Sequence, residues 1–344
     1  MGTVIIVKRV YYEPEYVSKF VCDGPSCKAA CCKDWQIEID VKAANRYRER
    51  NSNIADFKDG KYYINLDRNN ACPFLTEQCL CGLQLSEGEP FLSGTCRTFP
   101  RRTYFIDDFC VRTLSLACPI AAKLALSEQI KFKTTETDDE TDVYNPNVPD
   151  DLLDYLLEVQ AAAVHILQER RLSIDQRLII LGFYLDRLEE IVNADELEEI
   201  DNLCALYRSE GFFDNQVPKL LKSIQYDQAD YEKIMLEVFA KADIIISPNL
   251  EARQKNSEIL ENYLVNEFFG NTYPWRTKGA ISQNYGLFVL TYKILEALIG
   301  EGDPIEIVTW FSRNIDHDVE YYRWLQTKAG LDVLKIMRIL HNGI

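Results

Sequence analysis

The sequence predicts a mainly α protein in two parts: a small cysteine-rich α+β domain that binds metal, then an all-α helical domain. Two observations carry this expectation. Ten of the eleven cysteines fall within residues 22–118, in a stretch that also holds short alternating and β-branched segments. Beyond residue 151 apolar residues recur at helical spacing between cap and stop signals. Between the two parts, residues 133–150 are rich in Thr, Asp and Glu and carry Pro146 and Pro149, too polar to bury and too proline-rich to continue a helix. Domains are therefore expected at 1–132 and 151–344, with 133–150 as linker or loop.

Taken in order, Val4, Ile5, Ile6 and Val7 predict a short strand. Residues 35–40 alternate apolar and polar side chains as a half-buried strand does, residues 41–50 form a helix with a basic face, and residues 62–66 form another strand. Cys118-Pro119 opens a helix with Ile120, Leu124 and Leu126 on its apolar side. In the second part, residues 151–171 are helical, and Ser173 with Gln176 is a capping-box signature for the next helix. Ser247-Pro248 starts a helix through Phe269, stopped by Gly270 and Pro274. Further helices are expected at 282–299, 303–314 and 329–341, with a turn at 300–303, and no internal repeat is found.

Of 344 residues, 47% are hydrophobic and 27% charged, the balance of a folded chain with a sizeable core. The net charge of -16 argues against nucleic-acid and anionic-membrane partners, which need a positive surface. The apolar run at 286–300 is broken by Lys293 and Glu296 and falls short of the roughly 20 residues of a membrane span. The opening residues lack the charged start, apolar core and cleavage site of a signal peptide. A cytoplasmic setting is expected, and reducing compartments turn cysteine clusters into metal sites more often than into disulfide frameworks.

A metal here must be held by thiolates alone, because His165, His317 and His341 all lie in the other half. That leaves an all-cysteine zinc site or an iron–sulfur cluster. Zinc modules usually show two Cys-x2-4-Cys knuckles; this chain has Cys27-x3-Cys31-Cys32, then single thiols at 72, 81, 96 and 118. Side chains of adjacent cysteines diverge, so one of Cys31 and Cys32 need not be a ligand. The radical-type Cys-x3-Cys-x2-Cys spacing is absent, since its third position falls on Asp34.

The set Phe20, Cys22, Gly24, Cys27, Cys31, Cys32, Trp35, Ile37, Ile39, Asp40, then Cys72-Pro73-Phe74-Leu75, Cys81, Cys96-Arg97-x-Phe99-Pro100-Arg101 and Ser115-Leu116-x-Cys118-Pro119 resembles the flagellin lysine-N-methylase family. The cysteine pattern by itself also resembles a broader group of iron–sulfur or zinc-binding proteins; Trp35 and Cys118-Pro119 favour the methylase branch. A weaker likeness continues through residues 260–266 and Tyr273-Pro274. The resemblance implies a 4Fe-4S cluster and methyl transfer from S-adenosylmethionine to lysine side chains of flagellin. Position by position, it implies metal-site thiols at Cys22, Cys27, Cys31, Cys32, Cys72, Cys81, Cys96 and Cys118, more than the four one cluster uses. Cys79 and Cys110 fall outside the family pattern, and Ile120 stands where an acidic residue is expected.

Such a reaction is an in-line displacement by a neutral amine, so a lysine of ordinary pKa about 10.4 must be deprotonated and aligned. Asp40, Tyr62 and Tyr63 are candidate proton acceptors, more simply a cap and strand packing. Arg97, Arg101 and Arg102 are candidates to hold a carboxylate or to face a cluster's negative charge. Tyr263, Phe268, Phe269 and Trp275 read as core, with a substrate groove as the sharper alternative. No Gly-x-Gly-x-Gly follows a strand, so a Rossmann-type donor site is unsupported. Catalytic and donor-binding residues stay unassigned. A non-catalytic metal-binding adaptor and a redox or electron-transfer protein are the competing readings.

Overall fold

β-Branched and aromatic residues at Val10, Tyr11, Tyr12 and Val111 favour extended chain, and they build the larger sheet of the first part. The computed structural model describes residues 9–27, 29–106, 108–137, 145–224, 228–241, 249–316, 319–329 and 333–340. The chain divides into two units, Met1–Ala125 with Lys131–Tyr144, and Leu126–Ile130 with Asn145–Ile344.

In the first unit, β1 (Arg9–Pro14) lies between β6 (Phe109–Leu114), to which it is parallel, and β7 (Phe132–Thr137), to which it is antiparallel; β5 (Arg101–Ile106) forms an antiparallel hairpin with β6. A buried ion pair ties three of these strands together. Arg112 Nε donates to Glu13 Oε2 at 2.7 Å, Thr135 Oγ1 donates to Glu13 Oε1 at 3.1 Å, and the guanidinium lies 4.0 Å from the Tyr11 ring centroid. The second sheet has the order β2 (Glu38–Ile39), β4 (Lys61–Ile64), β3 (Ala55–Lys58), and α1 (Val41–Arg48) follows β2. Three short helices complete the unit: α2 (Gly82–Glu87), α3 (Gly94–Thr98) and the start of α4 (Pro119–Ser127).

The expected strand at 4–7 lies outside the described residues. The strand expected at 35–40 narrows to β2, and the β5–β6 hairpin was not anticipated, because its first strand opens on two arginines. Residues 133–137, expected in a linker, form most of β7 instead. An edge strand pairs on one side only and tolerates a polar outer face, and its threonines suit the extended backbone. Residues 138–144 lie outside the described part.

The second unit is helical: α5 (Leu156–Leu167), α6 (Ile174–Ala194), α7 (Ile200–Tyr207), α8 (Glu210–Asn215), α9 (Val217–Ser223), α10 (Gln228–Lys241), α11 (Leu250–Lys255), α12 (Ser257–Gly270), α13 (Ile281–Leu298), α14 (Pro304–Asn314), α15 (Val319–Ala329) and α16 (Val333–Leu340). The mainly α expectation holds. The Ser173/Gln176 capping box is present at the start of α6, with both reciprocal hydrogen bonds made. The single helix expected from 248 to 269 is two, since Asn256 Nδ2 donates to Ala252 O at 2.8 Å and takes up a carbonyl at the end of α11. The expected Ser247-Pro248 cap lies outside the described residues, and Asn249 caps α11 through Ala252 N–H at 3.0 Å. The helix expected at 151–171 shortens to α5 behind a 3-10 turn at Asp150–Leu152. Among the described residues no helix is long and apolar enough to cross a membrane.

At the centre of this unit α6 meets α13 and α16 through a glycine. A Cβ on Gly182 would stand 2.7 Å from the Tyr285 hydroxyl and 3.0 Å from Met337 Cε. Tyr285 is fully buried and donates to Leu178 O at 2.9 Å, so it has nowhere to retreat. Gly182→Ala should therefore lower stability. Overpacking of about 1–3 kcal/mol outweighs a helix-propensity gain of at most about 1 kcal/mol, read as an earlier thermal unfolding midpoint.

Candidate metal centre

The thiols are carried by loops and short turns that the backbone ties together. Residues 22–27 and 29–32 coil tightly: Cys27 N–H bonds to Asp23 O at 3.2 Å, Ala29 N–H to Gly24 O at 3.1 Å, and Cys32 N–H to Ala29 O at 2.9 Å. Gly24 is required there, since a Cβ would meet the Cys79 carbonyl oxygen at 2.9 Å. Cys72 N–H bonds to Cys32 O at 2.8 Å beside an antiparallel bridge between Lys33 and Ala71. A bridge between Leu75 and Cys81, with Gly82 N–H on Phe74 O at 2.7 Å, closes the loop from Cys72 to Cys81. Cys96 sits in α3, whose first turn is capped by Ser93 Oγ, accepting Cys96 N–H at 3.2 Å. Cys118 immediately precedes α4, and Ala122 N–H bonds to Cys118 O at 2.8 Å.

These ties bring Cys32, Cys72, Cys81 and Cys96 against one core. Cys72 is 7% exposed in a core of Ile37, Ile39, Tyr47, Ile64 and Leu83, and Cys32, Cys81 and Cys96 pack against that same core. The Cys31 and Cys32 sulfurs stand 3.7 Å apart. None of the eleven cysteines is joined in a disulfide. Among the described residues, no three His, Cys, Asp or Glu side chains stand close enough to hold one ion as they are.

Electrostatics describe what this gathering costs. Burial, with smaller repulsion from Cys96, Cys81 and Cys31, pushes the Cys72 thiol up to about 12 despite a hydrogen bond from the Phe74 amide. Burial likewise lifts Cys96 to about 11, with Cys81 and Cys31 adding to it. Cys118 rises to about 11 through burial and the charges of Cys27 and Cys31, although the amides of Ala121 and Ile120 point at its sulfur. Cys32 is held well above the usual thiol range by its hydrogen bond with Cys31 and by burial. Thiols lifted by burial and by one another, with backbone amides at Cys72 and Cys118, are donors of the kind that a thiophilic cation would take by replacing their protons. By this chemistry the donor set fits the metal group that the resemblance implies.

The remaining sequence candidates fall into structural places. Asp40 caps α1 through Ala43 N–H at 2.8 Å and accepts Gly94 N–H at 3.0 Å, joining α1 to the start of α3. Burial raises its pKa, but those amides outweigh it and hold the carboxyl below its ordinary value. Tyr62 packs at a tilt against Phe57 with ring centroids 4.9 Å apart, and Arg101 lies over the Phe20 ring. Trp35 Nε1 donates to Cys31 O at 2.8 Å, which ties it to the vicinal pair. Cys110 is buried in β6, and Cys79 occupies a left-handed turn position at φ 59°. In the second unit Cys204 pairs with the Tyr184 hydroxyl at 3.3 Å and His165 packs on Phe213, while His317 and His341 lie outside the described residues. Tyr263, Phe268, Phe269 and Trp275 are buried core. Sequence reasoning missed Ser93, although its spacing of three before Cys96 is a capping signal.

A thiol-dense α+β unit followed in the chain by an all-helical one defines a two-part, cysteine-rich, mainly α protein. The sequence profile of the FliB lysine N-methylase C-terminal domain matches residues 160–254 and 249–337. The chain is 31% identical over 129 residues to proteins named lysine-N-methylase from Salmonella typhimurium and Salmonella choleraesuis, matching 34% of this chain and 32% of each relative. It is 31% identical over 130 residues to the flagellar biosynthetic protein FliU of Salmonella muenchen, covering 34% of this chain and 76% of that one. The chain thus spans about a third of the length of the first two relatives. No solved structure matches. The chain belongs to the flagellin lysine-N-methylase family.

Proposed function

We propose that this chain is an S-adenosylmethionine-dependent protein lysine N-methyltransferase acting on flagellin in the cytoplasm, with a 4Fe-4S cluster on its thiols. The observation that carries the reading is the match of the FliB lysine N-methylase C-terminal domain across the helical unit. The names of the relatives, lysine-N-methylase and flagellar biosynthetic protein, support the reaction and the substrate. Cys22, Cys27, Cys31, Cys32, Cys72, Cys81, Cys96 and Cys118 are the residues that would hold the metal. When bound, a cluster supplies a Lewis-acidic iron or a brace for the loops. The protein's own work is to align donor and acceptor and to desolvate the lysine so that its neutral amine is available, since nitrogen brings its own lone pair to the sulfonium methyl.

Protein purified anaerobically, mixed with methyl-labelled S-adenosylmethionine and unmodified flagellin, should place label on lysine Nε atoms. Metal-loaded protein that neither binds the donor nor labels flagellin would sink the reading and leave the adaptor or redox alternatives.

A further inference from the structure

Arg276, in the turn between α12 and α13, carries a charge on a side chain that is only 18% exposed. Burying a charge is costly unless it is paired and hydrogen-bonded. Among the described residues, however, its guanidinium makes no hydrogen bond; its ion-pair partner, Glu267 Oε2, lies 3.8 Å away, beyond hydrogen-bond reach. What holds the guanidinium is aromatic. It sits 4.2 Å from the Tyr322 ring centroid and 5.8 Å from that of Tyr273. The backbone beneath it is anchored, because Asn147 Nδ2 donates to Arg276 O at 2.7 Å. The slot takes a cation without locking this one in.

Tyr322 on α15 and Tyr273 in the turn after α12 close one corner of the slot, their hydroxyls 3.0 Å apart. Phe288 of α13 backs Tyr273, with ring centroids 5.0 Å apart. Glu267, on α12, forms the inner end: its side chain is 7% exposed, Asn271 Nδ2 donates to Oε2, and Asn266 Nδ2 donates to Oε1 at 3.4 Å. Both amides are neutral, so neither balances a carboxylate. Thr272 is held at φ 52°, a left-handed conformation that a β-branched residue seldom adopts, in the turn that carries Tyr273. Next to Arg276 in the chain, a cavity of about 250 Å³ is lined by Thr277, Lys278, Gly279, Gln283, Leu287 and Gln326, the last one turn beyond Tyr322 on α15. A displaced Arg276 side chain has room there. All of these residues except Asn147 lie within 249–337, the second segment matched by the FliB lysine N-methylase C-terminal domain.

The geometry points to this slot as the binding site for the acceptor lysine of the protein substrate, with Tyr273 and Tyr322 as its walls, Glu267 at its end, and Arg276 as a resident cation that the incoming ammonium displaces. This rests on the reading that the chain methylates protein lysine, and deepens it by placing the acceptor. A lysine suits the slot better than Arg276 does. Its ammonium is a compact charge on a thin stem, so it can pass between the rings and hydrogen-bond Glu267, where the planar guanidinium stops 3.8 Å short. Ring faces attract a cation through their quadrupole, and more strongly once its water is stripped.

The probe is Nα-acetyl-lysine N-methylamide, one lysine side chain on a neutral backbone, titrated into the full chain and followed by ligand-detected NMR. Its Nε-acetylated form, which lacks the charge, is the control. Arg276→Gln removes the competing cation and should tighten binding of the probe about fivefold or more relative to wild type. Adding Tyr322→Leu should abolish that gain, adding Tyr322→Phe should keep it, and the Nε-acetylated probe should bind none of the variants. Circular dichroism confirms that each is folded. A folded Arg276→Gln chain that binds the lysine probe no better than wild type, or binds both probes alike, overturns the inference, as does a gain that survives Tyr322→Leu. Should Arg276→Gln fail to fold, wild type against Tyr322→Leu decides: binding that is absent, or equal in the two, overturns it. Label transfer to flagellin is scored separately. A chain that methylates flagellin but fails these tests loses the slot and keeps the enzyme, whereas lysine bound as described without label transfer keeps the slot and sinks the enzyme.

Discussion

Glu261→Ala is expected to destabilise the helical unit by about 3–5 kcal/mol, because it strips the counter-charge from a buried arginine. Glu261 lies on α12 with its side chain 2% exposed, and Oε2 accepts Arg177 NH1 at 2.7 Å. Arg177, on α6, is 8% exposed and also donates to Leu167 O at 3.0 Å and Leu172 O at 2.9 Å. With the carboxylate gone, the guanidinium keeps its charge and loses the carboxylate it is paired with. Arg170 also reaches Glu261, through NH2 at 3.0 Å, but its side chain is 42% exposed. Arg170→Ala should therefore cost no more than about 1 kcal/mol, as exposed pairs do. Hydrogen exchange of the α6 and α12 amides reads the difference locally. A Glu261→Ala loss as small as that of Arg170→Ala would show that water reaches Arg177 and that the pair is not buried in solution.

The same helix shows what a sequence can reveal and what it hides. Residues 260–266 carried part of the family likeness, and all seven are buried. Asn262 Nδ2 donates to Glu128 O at 3.0 Å, and Glu261 meets two arginines from 84 and 91 residues away. Polar residues at every turn defeat an amphipathic reading, since their partners come from distant chain. Local signals were legible where the physics is local: the Ser173/Gln176 box, the Asp40 cap and the turn before Asp303 all depend on neighbours within a few positions. β7 was not legible, because an edge strand of Lys133, Thr134, Thr135, Glu136 and Thr137 reads as solvated chain until β1 is beside it. The thiols fall between these cases. The family resemblance named eight candidates, but only the fold places Cys32, Cys72, Cys81 and Cys96 against one core.

Lys293→Met tests a second buried ionic centre, built from the two charges that interrupt the apolar run of α13. Lys293 Nζ lies 3.0 Å from Asp175 Oδ1 and 2.8 Å from Glu296 Oε2, while Arg253 NH2 reaches Asp175 Oδ2 at 2.7 Å and its Nε reaches Glu296 Oε1 at 2.8 Å. Two cations and two anions balance. Tyr292 adds a hydroxyl donor to Glu296 Oε1 at 2.8 Å. Burial favours a neutral Lys293, but Asp175 and Glu296 outweigh it and raise its pKa. Its contribution is complete below the unfolded value of about 10.4 and is lost as pH rises from there through the folded value, so at neutral pH it is fully present. Methionine matches the stem but leaves one net negative charge in the interior. Arg253 still bridges both acids, which places the loss near 3 kcal/mol, the lower end for a broken buried pair. Lys293→Met with Asp175→Asn restores the balance and should recover a substantial part of that loss, because the penalty comes from the unpaired charge rather than from the missing contact. Urea unfolding followed by circular dichroism at 222 nm compares the variants. Strictly additive losses in the double variant would mean that Lys293 acts through packing alone, and that the four side chains do not share one charge balance.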